Sequence, residues 1–415
     1  MNRVVVTGIG CLTPIGNNIE EYKKNLFGGV SGAATITKFD ASEFRTHFAC
    51  ELKNFKAEDY LDKKEVRRID PFTQFALISC DEGLKDCGLD LDKMDPDEVG
   101  VIWGSGIGGL ETMQEEIGYN AINPSPPRFS PFFIPKLIVD IAAGHISIRY
   151  GFRGPNYATV SACASSNNAI ASAFDTIRLG KAKVMVTGGS EASCTKVGIG
   201  GFAAIKAMSQ RNDDPTTASR PFDKDRDGFV LGEGAATLII EDLAHAKSRG
   251  AKIYAEIAGT ACTADAYHIT APHPDGLGAS NVMKKALKDA KMNTTDIDYI
   301  NVHGTSTPLG DVAEAKAIQK VFGDHAYHLN ISATKSMTGH LLGAAGGVEA
   351  LASLFAIEHN LVPPTINHFT DDPELDQKLN FTFNQAQERK VNAVLSNTFG
   401  FGGHNSSVIF KSFND

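Results

Sequence analysis

Three residues have side chains suited to nucleophilic and proton-transfer chemistry, each in a loop that follows a strand-like run: Cys163, His303 and His340. The stretch Asn156-Tyr157-Ala158-Thr159-Val160-Ser161-Ala162-Cys163 reads as a short strand delivering a cysteine. Small and polar residues follow, and from Ala169 to Leu179 the pattern is helical, with Gly180 as a stop signal. A thiol at a helix start faces unpaired N–H groups and the positive end of the helix dipole, which favours thiolate. A buried structural cysteine is the alternative reading of the same local sequence.

The partners weigh against that alternative. His303 follows the strand Tyr299-Ile300-Asn301-Val302 and precedes the polar turn Gly304-Thr305-Ser306-Thr307-Pro308. His340 closes Lys335-Ser336-Met337-Thr338-Gly339-His340. A thiolate accepts an acyl group, and imidazoles stabilise charge and move protons. A His2Cys zinc site draws on the same residue types, but no short-spaced ligand pair anchors one, so no metal is expected. Lys335 and Glu349 can pair as ions in support of His340; solvated side chains are the simpler alternative. Gly400-Phe401-Gly402-Gly403 offers backbone N–H groups for an oxyanion and one ring, Phe401, able to gate a pocket. A plain glycine-rich turn has the same sequence.

The elements that must position these residues alternate between strands and helices. At 415 residues with 42% hydrophobic and 21% charged content, the chain has ordinary globular composition and length for two or three domain-sized units. A formal charge of −9 argues against general nucleic-acid binding. Seven scattered cysteines form no disulfide pattern, and no apolar run reaches the ~18 residues of a membrane span. With no signal-peptide pattern at Met1-Asn2-Arg3, a cytoplasmic protein is expected. Strands are expected at Val4 to Thr7, ending at Gly8-Ile9-Gly10, at Val99 to Trp103, and at Val184 to Thr187, ending at Gly188-Gly189. Pro124, Pro126, Pro127, Pro131 and Pro135 mark an irregular excursion. The second half repeats this rhythm, which suggests two similar α/β halves, 1–250 and 251–415, with chemistry where their loops meet.

Two motifs point elsewhere. Gly104-Ser105-Gly106-Ile107-Gly108-Gly109 fits a dinucleotide fingerprint after a strand, but no second strand ending in Asp or Glu follows at the right distance. Asp223-Lys224-Asp225-Arg226-Asp227-Gly228 imitates a calcium loop, yet its twelfth position is Gly234 where a bidentate Glu is required. A charged turn is expected instead.

Taken together, the motifs resemble those of the β-ketoacyl-[acyl-carrier-protein] synthases, most closely the type II condensing enzymes of fatty-acid synthesis. Its carriers are Ser161-Ala162-Cys163, Arg220-Pro221-Phe222-Asp223, Asp227-Gly228-Phe229-Val230, His303 to Thr307, Lys335 to His340 and Gly400 to Gly403. The resemblance implies the thiolase fold: two duplicated α/β halves in a five-layered α-β-α-β-α core, the first carrying the nucleophile and the second both histidines. It implies a homodimer as well. It also implies that Cys163 takes an acyl chain from acyl carrier protein as a thioester. Malonyl carrier protein then loses its carboxylate, and the carbanion extends the chain by two carbons. His303 and His340 would stabilise the enolate, Cys163 and Phe401 N–H groups would hold the oxyanion, and Lys335 and Glu349 would order the site.

Further residues carry roles by the same resemblance. Thr270, Thr305 and Thr307 would bond the phosphopantetheine arm, which arrives on the carrier; no other cofactor is implied. Ile107 and Phe202 would shape the acyl pocket, and for Phe202 a plain core role competes. Lys64, Arg67, Arg68, Arg128 and Lys206 would form a landing site for the acidic carrier. Ala164-Ser165-Ser166-Asn167 and His404, where a smaller residue is expected, depart from the pattern and leave chain length and pathway open, including a related polyketide or specialised lipid pathway. Thiolase itself is disfavoured because Gly400 to Gly403 holds no second cysteine, and a non-catalytic chain-length partner because Cys163 is present.

Overall fold

Runs of valine and isoleucine build strands buried on both faces, as a sheet covered by helices requires. The computed structural model describes residues 1–413. Its first strand, Val4–Leu12, is buried at all nine positions and runs straight through Gly8 and Gly10 instead of stopping there. Close packing is the reason. A Cβ on Gly10 would lie 2.0 Å from the Ser79 carbonyl oxygen, and one on Gly8 2.4 Å from the Cys87 Cβ. Helix Pro71–Cys87 therefore presses directly on the strand backbone. The strand Val184–Glu191 likewise continues through Gly188 and Gly189. There, a Cβ on Gly188 would meet the Ala236 carbonyl oxygen at 2.0 Å.

Among the described residues, ten strands form one mixed sheet in two matching runs. From the middle outward, the first run is Val4–Leu12, Gly234–Asp242, Val184–Glu191, Val99–Gly104 and Asn156–Thr159. The second is Ala255–Ala264, His404–Lys411, Ala393–Gly400, Tyr299–Asn301 and Asn330–Ser332. Each run has two antiparallel pairings followed by two parallel ones. They join where Val4 to Val6 pair antiparallel with Ala255 to Ile257.

Helices Ser165–Arg178 and Ala345–His359 touch strands of both runs and each other, forming the middle layer. Helix Pro71–Cys87 covers the first run from outside, and Leu277–Ala290 covers the second. The result is five alternating layers. Ala345–His359 is buried at thirteen positions, from Ala345 to Ile357, as a helix enclosed on every side must be. The proline-rich excursion is irregular from residue 123 to 132 but is flanked by helices Leu110–Ile122 and Phe133–Leu137.

The Gly10 contact gives a direct test. Gly10→Ala forces a methyl group into the helix backbone and is expected to destabilise the fold by about 1–3 kcal/mol, the range of overpacked cores. A Tm within 1 °C of the parent in calorimetry would refute the close-packing account.

Candidate active site

A reversal of backbone direction places the thiol. Ala162 adopts φ +51°, a left-handed conformation uncommon for a residue with a side chain. It turns the strand Asn156–Thr159 into the helical turn Ala162–Ala164, with Cys163 at its centre. Ser165 Oγ accepts the Ser161 N–H at 2.9 Å and donates to the Ala162 carbonyl at 2.7 Å, which locks this turn. The following helix begins at Ser165, four residues before the sequence pattern becomes helical. Its first side chains are small and polar because they bond back to backbone; Ser166 Oγ, for instance, accepts the Gly347 N–H at 2.9 Å.

His340 Nε2 stands 3.0 Å from Cys163 Sγ. The His303 ring lies edge-on to it, centroids 5.3 Å apart at 86°. One donor atom from each of the three residues lies within 4.8 Å of the other two. Backbone bonds set both imidazoles in place. His340 donates its N–H to the Val230 carbonyl at 2.7 Å, and its own carbonyl accepts from Gly232 at 2.9 Å. The N–H groups of His303 and Gly304 each donate to the Glu314 carboxylate at 2.9 Å. Burial, opposed by those two bonds, pushes Glu314 up to about 7.

The ionisation of the site follows from burial. Both histidines lie well below the ordinary imidazole value, because burial and then the Lys335 charge disfavour the cation; His340 adds to this at His303. Burial pushes the Cys163 thiol up to about 12, against the Lys335 charge and the N–H groups of Phe401 and Cys163 itself. The expected helix-start thiolate is thus overridden in the resting site, where a neutral thiol faces a neutral imidazole. Lys335 and Glu349 pair directly, each 2% exposed. Burial raises Glu349 to about 7, and Lys335 restrains the rise. Among the described residues the pair makes no hydrogen bond to His340; Lys335 acts on both imidazoles through its charge.

A cavity of about 430 Å³ leads from the surface to Cys163, His303 and His340. Thr270, Thr305, Thr307, Phe202, Lys206 and Phe401 all line it. Gly400 has no side chain where a Cβ would lie 3.0 Å from the Cys163 nitrogen, so the 400–403 loop closes onto the nucleophile. Ile107 does not line this passage. It packs behind Cys163 in an apolar cluster with Ile199, Phe229 and Leu342, which Phe202 also joins. Phe202 meets Phe229 edge-on at 5.5 Å, and Phe229 meets His340 in the same way at 5.3 Å.

The basic residues divide between two places. Lys64, Arg67 and Arg68 are exposed at the helix Lys63–Val66, with Arg68 stacked 5.5 Å over Phe132 of the excursion. Arg128 is exposed on that excursion, held through its backbone by Asn120. Lys206, also exposed, stands on the cavity wall.

Both rival motifs are otherwise engaged. The N–H groups of Gly106 and Ile107 donate to the buried Glu191 carboxylate at 2.7 and 3.2 Å, leaving them no phosphate to hold. Asp223 accepts the N–H groups of Asp225, Phe369 and Thr370, while Arg226 pairs with Asp311 and Asp372, so this segment is a pinned charged turn. Glu191 and Glu314 escaped the sequence reading because each acts on the backbone of distant residues, a role without local pattern.

The site's acid response is testable. Two imidazoles held below their unfolded value of ~6.5 make the unfolded chain bind protons first as pH falls. Stability is expected to decline from about pH 6.5 downward, by up to ~1.4 kcal/mol per pH unit for each histidine. Denaturant titrations at pH 7.5 and 5.5 should show a smaller difference in His303→Ala than in the parent; an equal difference would contradict the assigned neutrality.

Comparison with known proteins agrees with this geometry. Residues 1–246 match the model of the β-ketoacyl synthase N-terminal domain, and 254–369 match that of the C-terminal domain. The chain is 51% identical over 412 residues to "3-oxoacyl-[acyl-carrier-protein] synthase 2" of Staphylococcus aureus (strain COL), covering 99% of this chain and 98% of that protein. Its fold superposes on the ishigamide ketosynthase/chain length factor with TM-score 0.93 at 32% identity, covering all of both chains. A type II polyketide ketosynthase solved with its acyl-carrier protein gives TM-score 0.92 at 32% identity, again with full coverage of both chains. The fold is thiolase-like, and the chain belongs to the β-ketoacyl synthase family of condensing acyltransferases.

Proposed function

We propose that this β-ketoacyl synthase elongates fatty-acyl chains by decarboxylative condensation of malonyl-acyl carrier protein with an acyl group on Cys163. The observation that carries the reading is the 3.0 Å approach of His340 Nε2 to Cys163 Sγ at the inner end of the cavity. As Sγ attacks the incoming thioester, His340 takes and keeps the thiol proton, and the departing pantetheine sulfur takes a proton from solvent. The N–H groups of Cys163 and Phe401 face the oxyanion. Malonyl thioester then enters, its carboxylate leaves as CO2, and His303 and His340 hold the enolate oxygen. The enolate carbon attacks the acyl-enzyme carbonyl, the C–S bond breaks, and the departing Cys163 sulfur takes its proton back from His340. The three donors also stand close enough to share a metal ion, but every step proceeds without one.

Thr270, Thr305 and Thr307 line the passage as hydroxyl partners for the pantetheine arm. Ile107, behind Cys163, limits the acyl chain, and Phe401 gates the entrance. Lys64, Arg67, Arg68, Arg128 and Lys206 attract the acidic carrier to a chain whose net charge is −9. The 51% identity to a fatty-acid-type name, against 32% to the polyketide structures, favours fatty-acid elongation. We read the chain as two units, 1–250 and 251–415, in the cytoplasm, where its seven unpaired cysteines would stay reduced.

Cys163→Ala is expected to abolish acyl transfer, read by intact-protein mass spectrometry, and to lower carrier-linked elongation more than ~100-fold. Retained condensation would sink the assignment.

The outermost strand Asn156–Thr159 leaves one ladder edge open, with exposed Tyr157 and Val160 on it or next to it and exposed Ile148 on the helix Ile141–Tyr150 packed against it. An open strand beside apolar side chains is a pairing surface, and a second copy completes it as a homodimer. Val160→Arg with Tyr157→Asp is expected to shift sedimentation from dimer to monomer. An unchanged coefficient would place the interface elsewhere.

A further inference from the structure

We infer that Glu191 is a positioning residue for acyl-chain selectivity, holding the loop of Ile107 against the turn that follows His340. Its side chain is wholly buried and uses both oxygens twice. Oε1 accepts the Ser105 hydroxyl at 3.1 Å and the Ile107 N–H at 3.2 Å. Oε2 accepts the Gly106 N–H at 2.7 Å and the Gly343 N–H at 3.0 Å. One carboxylate thereby ties the end of the strand Val184–Glu191 to the 105–107 loop and to the start of the second central helix. Among the described residues no other carboxylate holds the 105–107 loop: Ser105 Oγ, the acceptor for the Gly108 N–H at 3.2 Å, itself donates to Glu191, and the Ser105 N–H reaches the Thr159 carbonyl at 3.4 Å.

The junction is also sterically filled. A Cβ on Gly343 would lie 2.2 Å from the Gly106 nitrogen, and one on Gly106 2.9 Å from Glu191 Oε2. The loop thus cannot slide toward the turn, and the carboxylate stops it moving away. Ile107 is the first side chain beyond this clamp and belongs to the cluster that contains Cys163. Its position relative to the thioester is set by the clamp.

Glu191→Gln tests this selectively. An amide has one acceptor oxygen and one donor group. With the oxygen kept toward Gly106 and Gly343, the NH2 group faces Ser105, whose hydroxyl can accept, and the Ile107 N–H, which then has no acceptor. The substitution therefore frees the gate residue and preserves the rest.

The inference rests on the reading of Ile107 as the residue limiting chain length, so the experiment carries both. Elongation kcat/KM is measured with acyl carriers of graded length for the parent, Ile107→Ala, Glu191→Gln and the double variant. Ile107→Ala and Glu191→Gln should each raise the long-to-short ratio, Glu191→Gln by about threefold to tenfold, as one orphaned buried N–H allows. The double variant should fall well short of the product of the two ratios, because both act on one gate. If Ile107→Ala leaves the ratio unchanged, the role of Ile107 is wrong. If only Glu191→Gln leaves it unchanged, or if every chain length changes by one factor, Glu191 does not position the gate. Should Glu191→Gln fail to fold, Ser105→Ala removes one donor of the same clamp and must shift the ratio in the same direction; no shift overturns the inference.

Discussion

The architecture depends on a contact that tolerates no extra side chain: the two central helices meet start to start between the runs of the sheet. A Cβ on Gly346 would lie 2.5 Å from Asn167 Oδ1, one on Gly104 2.5 Å from the Ser166 nitrogen, and one on Gly189 2.6 Å from the Gly104 oxygen. Such spacing brings two positive helix ends together, an arrangement that disfavours itself electrostatically. The Glu191 carboxylate, bonded to the Gly343 N–H at one of those ends, places a compensating charge there. Because Cys163 heads one helix and the His340 segment leads into the other, this contact fixes the distance between nucleophile and imidazole.

Burial then sets the chemistry. A thiol raised by desolvation and two imidazoles lowered by it form a site without net charge of its own, beside the buried Lys335–Glu349 pair. Such an arrangement gains little from a standing thiolate. It suits proton transfer that occurs as the C–S bond forms, when the developing oxyanion meets N–H groups already in place.

What could be read from the chain follows the range of each interaction. Cys163, His303, His340 and the 400–403 loop sit at strand ends, where a local pattern of apolar run then polar turn marks them. The resemblance extended that pattern to Thr305 and Lys335, which the cavity and the ion pair bring to the same place. The boundaries at Gly8, Gly10, Gly188 and Ser165 depart from the local pattern for one shared reason. Glycine and serine signal turns locally, whereas here they serve contacts with helices and strands far away in sequence. Glu191 and Glu314 were invisible because a carboxylate that accepts backbone N–H groups leaves no periodicity.

The matching runs of the sheet place the same turn in two different settings. Ala162 and Leu342 have the same left-handed conformation, φ +51° and +47°, and each opens a one-turn helix before a central helix. The next residue is Cys163 in one run and Gly343 in the other. At Gly343 a side chain is excluded by the Gly106 backbone, and the N–H is committed to Glu191, so that copy of the turn cannot carry a nucleophile. The loops after the fourth strand of each run diverge in the same way. In the first run that loop brings Ile107 to the apolar side of Cys163; in the second it brings His303 to the polar side. A duplicated frame thus presents an apolar wall and an imidazole wall to the same sulfur.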